Sequence, residues 1–177
     1  VSYGRHIEDT EHYSIANVEL ENVESIKDLG VTFDSHLKFE IHISDKINKA
    51  YSILGIIRRN FKFLDKESFL VLYKSMVRSH LEYANCIWSP HTVQDKKNVE
   101  KVQMRATKLI PAIKHMSYIE RLKNLNLPTL LYRRLRGDMI MVYKLLSGLY
   151  DSNIACNLVK PNNYVTRGHY LRLFKKH

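Results

Sequence analysis

Lys97, Lys101, Arg105 and Lys108 recur at spacings of four, four and three. On a helix that spacing gathers the four cations within about 80° of one another. Continuing the same phase places Val99, Val102, Ala106, Leu109, Ile110 and Ile113 on the opposing side, so one face packs and the other is a cationic rail. Like charges at i and i+4 repel by a few tenths of a kcal/mol per pair, roughly. An external polyanion would relieve that repulsion, and the chemistry this pattern points to is electrostatic engagement of phosphates. A second basic stretch carries Arg133 and Lys144 in a shared direction, with Arg136 nearby and Arg134 placed to pair with Asp138 at i+4. The other reading of both stretches is an ordinary solvated helix face. Tyr51, Tyr73, Tyr83 and Trp88 could stack on bases, or they could fill a core as helix-face aromatics do.

Bond-making chemistry finds little to stand on. The nine histidines include His36 and His42 six apart and His80 on an apolar helical face. The others are scattered, and none form the i,i+3 or i,i+4 pair that metal ligation on a helix needs. No resident metal or cofactor is expected in the chain. It has no GxSxG, no glycine-rich phosphate loop and no group of carboxylates suited to two magnesium ions. The acidic pair Glu8-Asp9 sits in a polar segment and reads as solvated.

The elements that must hold the rail follow from periodicity. Residues 13–33 read as a β-hairpin or a pair of strands, with Leu29, Val31 and Phe33 alternating about Thr32 and a turn offered by Glu21-Asn22. Gly30 inside the second run marks a bulge, a close backbone approach or a weak spot. From residue 43 the period becomes helical: Ile43, Ile47, Ala50, Leu54, Ile57 and Phe61 share one face, with Ser44 or Asp45 as cap. A second helix runs from Asp65 through Phe69, Leu72, Tyr73, Met76, Val77, His80 and Tyr83 and stops before Ser89-Pro90. The rail helix covers about 93–110 and ends at Pro111. A short helix starts at the capping-box spacing Ser117-x-x-Glu120 and ends near Leu127-Pro128. The last spans about 129–146, with Leu131, Leu135, Met139, Val142 and Leu146 inward and Gly148 as terminator.

Composition supports a folded chain. Its 177 residues are 45% hydrophobic and 26% charged, near the averages for globular domains, and its two cysteines, Cys86 and Cys156, exclude a disulfide framework. A reducing compartment is the plainer inference. No membrane span or signal peptide is expected, and Val1 in place of methionine reads as a fragment. The net charge of +10 is unevenly placed. Residues 1–40 hold 3 basic and 9 acidic side chains (−6), leaving 25 basic and 9 acidic (+16) on residues 41–177. Such a surplus raises affinity for polyanions.

The segments KDLGVTFDSHLKFEIHI (27–43), SHLEYANCIWSP (79–90), EKVQMRATKLI (100–110) and SYIERLKNLNLPTLLYRRLRGDMIMVYKLLSG (117–148), followed by TRGHYLRL (166–173), resemble the reverse transcriptases of jockey-like non-LTR retrotransposons in sequence and order. The resemblance covers nearly the whole chain. It implies the C-terminal part of the polymerase: the palm end with a hairpin over 1–40, thumb-like helices over 41–115, post-thumb helices over 116–150 and an irregular basic tail over 151–177. It implies that Asp28, Leu29, Gly30 and Val31 match the hairpin called the primer grip, where Gly30 would let nucleic acid come close. The magnesium-binding carboxylates of the parent enzyme would lie upstream, so no polymerisation is expected of this chain alone. The resulting expectation is a mainly α-helical thumb-like bundle with a small N-terminal β-hairpin, α+β overall. It would bind RNA, DNA or RNA–DNA duplex without sequence preference, through Lys97, Lys101, Arg105, Lys108, Arg133 and Lys144. A protein partner on the surface left by the missing palm, or a remnant without function, is the alternative. The parent is expected in the nucleus, although Lys175-Lys176 is too short to serve as an import signal.

Overall fold

A computed structural model describes residues 1–4 and 13–150. The tail expected over 151–177, with TRGHYLRL, lies outside the described residues. The chain divides into two units, Val1–Arg134 and Leu135–His177. It is mainly α-helical with a small β part, as expected.

The β part is two hairpins rather than one. Strands β1 (Ser14–Ile15) and β2 (Val18–Glu19) pair antiparallel, as do β3 (Ser25–Asp28) and β4 (Val31–Asp34). The turns fall at Ala16-Asn17 and Leu29-Gly30, not at Glu21-Asn22. All four turn residues have positive φ (49°, 64°, 44° and 80°). Two-residue hairpins need that conformation because its twist matches that of the strands, and asparagine and glycine adopt it most readily. Gly30 is therefore a turn residue and not a bulge. A Cβ there would meet Tyr83 at an ordinary 3.5 Å, so φ, and not crowding, is what favours glycine. Leu29 leaves the expected alternation and stands 83% exposed at the tip, while Val31 is buried and Phe33 packs edge-on against Phe39.

Helix α1 (Glu40–Asn60) begins ahead of the expected caps. Its start is fixed by Asp34, whose carboxylate accepts the amides of His36, Lys38 and Phe39 at 3.1, 3.0 and 2.6 Å. Ser44 and Asp45 lie inside the helix instead. Ile43, Ala50, Leu54 and Ile57 are buried as expected, Ile53 and His42 join them, and Phe61 lies past the helix end and is exposed.

The second expected helix is broken into α2 (Lys66–Leu72), a π-turn (Tyr73–Val77), α3 (Arg78–Glu82) and α4 (Asn85–Trp88). Asp65 caps it as expected, accepting from Glu67 N and Ser68 N. The buried residues Phe69, Tyr73, Val77 and Leu81 recur every four positions, so at 3.6 residues per turn each step drifts about 40°. The wider π-turn absorbs that drift and keeps all four in one line. Met76 and Tyr83, expected on this face, are exposed. Ala84 at φ 51° ends α3, and Trp88 swings into the core with its Nε1–H donated to the carbonyl of Tyr83 at 2.7 Å.

Helix α5 (Val93–Thr107) ends three residues before the expected 110, then passes through turns to α6 (Tyr118–Leu125) and α7 (Leu130–Leu146). The guanidinium of Arg121, buried, ties the end of α5 to the turn before α6 by donating to Thr107 Oγ1 and to the carbonyls of Met104 and Met116. The capping box at Ser117 and Glu120 is present. Gln103, on the buried side of α5, accepts from Tyr73 Oη at 2.6 Å and donates to Tyr118 Oη and the Pro128 carbonyl at 3.0 Å each. Glu100 accepts from Tyr118 Oη and from the amides of Leu130 and Leu131, which fixes the start of α7. Leu131, Leu135 and Met139, expected inward, are exposed. An amphipathic stripe specifies a face able to bury, not an element that covers it.

Candidate nucleic-acid interface

The first turn of α5 is set by Thr92, whose Oγ1 accepts from Asp95 N at 3.0 Å, and its inner face by Val99, Val102, Gln103 and Ala106. That phase sends Lys97, Lys101, Arg105 and Lys108 outward, and all four are exposed. Arg105 lies over the ring of Tyr51 on α1, 5.2 Å from its centre, which orients its guanidinium across the groove between the two helices. Lys101 donates to Asn98 Oδ1 at 3.3 Å, a neutral partner that leaves its charge uncompensated.

The rail opens onto a broader basic surface. Three depressions of about 430, 380 and 430 Å³ share Lys108. Arg58, Lys62, Lys101, Arg105, Lys108, Lys114 and Arg121 line them, and no Asp or Glu does. Arg58, Lys62 and Lys114 were not singled out in the sequence. Arg58 lies in the last turn of α1 and Lys62 just past it, where basic residues are common because they offset the negative end of the helix dipole. Lys114 follows Pro111 in a turn that periodicity does not reach. The doublet Arg58-Arg59 with Lys62 was the available signal.

The two other basic candidates are placed differently. Arg133 makes a two-pronged ion pair with Glu82, its Nη2 2.9 Å from Oε2 and its Nε on Oε1. Arg78 also reaches Glu82 at 3.3 Å. The hydrogen bonds from Arg133 to Glu82 hold the guanidinium pKa above its ordinary value. Arg133 is thus a structural cation tying α7 to α3 and not an open phosphate contact, because a facing carboxylate already satisfies its planar fork. Arg134, expected as the exposed half of a pair with Asp138, is buried. Lys144 lies exposed in the last turn of α7, in the other unit.

The segment Asp28-Leu29-Gly30-Val31 forms the tip of the β3–β4 hairpin. Both turn carbonyls point inward. That of Leu29 accepts from Tyr83 Oη at 2.8 Å and that of Gly30 from Lys46 Nζ at 3.2 Å. The tip is held to α1 and α3, with the Leu29 side chain standing free at its end. Behind it, His42 accepts the Thr32 amide on Nδ1 at 3.1 Å and packs edge-on to Trp88. Burial, reinforced by Lys46, lowers its pKa to about 4. His42 is a neutral core residue at neutral pH.

Of the aromatic candidates, Tyr73 and Trp88 are buried, and Tyr51 and Tyr83 keep exposed edges beside the rail and the tip respectively. Among the described residues, no group of three His, Cys, Asp or Glu is placed to hold a metal ion. No helix among them is long and apolar enough to cross a membrane. Comparisons with protein-family models, with curated proteins and with solved structures find no match.

Proposed function

We propose that this chain grips RNA, DNA or an RNA–DNA duplex by its phosphates, without reading sequence, and performs no polymerase chemistry by itself. The observation that carries this reading is the basic surface of α5 and the end of α1, whose depressions no Asp or Glu lines. A rail of exposed cations on a rigid helix positions a backbone, whereas sequence reading would need side chains aimed at base edges. The resemblance to jockey-like reverse transcriptases supplies the context of a thumb closing on template and primer. In that context the pinned hairpin tip, with Gly30 in its turn, would support the primer end, and any magnesium would be held by upstream palm carboxylates. The test is binding of the full chain to hybrids of unrelated sequence. Lys101→Ala should weaken every one alike and reduce the salt slope by about one contact. A loss confined to some sequences would overturn the reading.

A second reading, a protein-interaction module, has its own observation. Phe63 is 93% exposed beside an apolar cleft of about 550 Å³ lined by Leu64, Ile110, Pro111, Ile113 and Leu125. Exposed apolar surface of this kind marks contact sites. Association that is independent of salt and abolished by Phe63→Ser would favour it.

A further inference from the structure

We propose that the cleft between the C-terminal ends of α1 and α5 is a discrete site for a compact polyanion with several phosphate charges in one place. That chemistry belongs to a short polyphosphate or to the phosphorylated end of a nucleic-acid strand. The site shares Arg105 and Lys108 with the rail, but it does not rest on duplex binding.

The cleft measures about 430 Å³, within the range of small-ligand pockets. Five cations line it from separate segments: Arg58 on α1, Lys62 in the following link, Arg105 and Lys108 at the end of α5, and Lys114 in the turns beyond. No Asp or Glu lines it, and among the described residues none of the five makes an ion pair. The helix ends offset only part of this charge, about half a unit each, so about four positive charges remain in one depression. Phe61, Leu64, Leu109 and Pro111 form the rest of the lining. Apolar walls reduce solvent screening and strengthen the field inside.

The distribution of charge separates this site from the rail. Along α5 the cations follow one another at about 6 Å per four residues, which suits a backbone offering one charge per phosphodiester. The cleft instead concentrates charge at a point. A phosphate monoester carries about −1.5 to −2, and linked phosphates carry more, so such groups match the cleft where a diester does not.

The test is calorimetric titration of the full chain with tripolyphosphate at about 0.15 M salt, with sulfate as comparator. The cleft variant is Arg58→Gln/Lys62→Gln/Lys114→Gln and the rail variant Lys97→Gln/Lys101→Gln. All five side chains are exposed, so both variants should keep the wild-type circular dichroism. The cleft variant should lose about tenfold or more in tripolyphosphate affinity and the rail variant less than about twofold. Equal losses in the two variants, or no saturable binding beyond that of sulfate, would overturn the proposal. In competition, a 5′-phosphorylated oligonucleotide displacing tripolyphosphate better than its 5′-hydroxyl counterpart would assign the strand end as the source. Equal displacement would assign free polyphosphate. Hybrid binding by the same variants reports on the rail separately, so either reading can fail while the other stands.

Discussion

Lys108 stands where the three basic depressions meet, and side chains such as this one were legible in the sequence because charge and helical phase together place them outside. Arg133 shows where that reasoning stops: its type and phase resemble those of the rail, but Glu82, 51 residues away, turns it into a structural tie. No local pattern announces such a partner. Gln103 was likewise invisible, since a polar residue on a packing face looks like an error until Tyr73, Tyr118 and Pro128 are seen to satisfy it. Gln103→Leu should destabilise the fold by about 1–3 kcal/mol, because it leaves the Tyr73 hydroxyl and the Pro128 carbonyl buried without their partner. Denaturant unfolding would measure it, and a neutral result would contradict the network. His42 gives a pH dependence. Its folded pKa of about 4 lies below the ordinary 6.5, so burial favours the neutral ring. Stability should be full above about pH 6.5 and fall as pH drops toward 4. His80, lowered in the same direction by burial, contributes in the same sense. In melting curves across this range, His42→Gln should remove the larger part of the slope.

At the scale of elements, caps and periods carried most of the information. Asp65 and the Ser117–Glu120 box were readable because each acts within four residues of itself. Ser117→Ala should cost about 1 kcal/mol, read as a lower denaturation midpoint. The start of α1 was misplaced because the residue that holds the chain entering it, Asp34, acts from a preceding strand through a loop. The π-turn was hidden for a different reason. A four-residue repeat of large apolar residues can be met by drifting burial or by a wider turn, and only packing decides between them. Deleting Ser75, in the middle of the π-turn, should return the helix to the α period with its register kept, because Val77 would then follow Phe69 by seven positions, about 20° from alignment. Cooperative unfolding in denaturant is the expected outcome. Its loss would show that the wide turn does more than absorb the drift of the repeat. The hairpins illustrate positive-φ chemistry. Gly30→Ala puts a side chain at φ 80° and should lower stability by about 1 kcal/mol.

For the whole molecule, the charge changes abruptly near residue 42, just inside α1, so the β hairpins precede the change and nearly all of the helical residues follow it. What composition could not convey is convergence. Arg58, Lys62 and Lys114 belong to three segments that become one surface only when α1 packs on α5, with Arg105 over Tyr51 at the seam. The fold class and the rail were thus open to reading, and the cleft was not. The proposed function requires that this surface engage phosphates electrostatically. The most direct test is the affinity of the full chain for an RNA–DNA hybrid across a salt series, with helical content monitored throughout. Four rail cations predict that log K falls linearly with log salt, with a slope of about −3 to −4, unchanged between hybrids of unrelated sequence. A folded chain whose binding is absent or indifferent to salt would contradict the account.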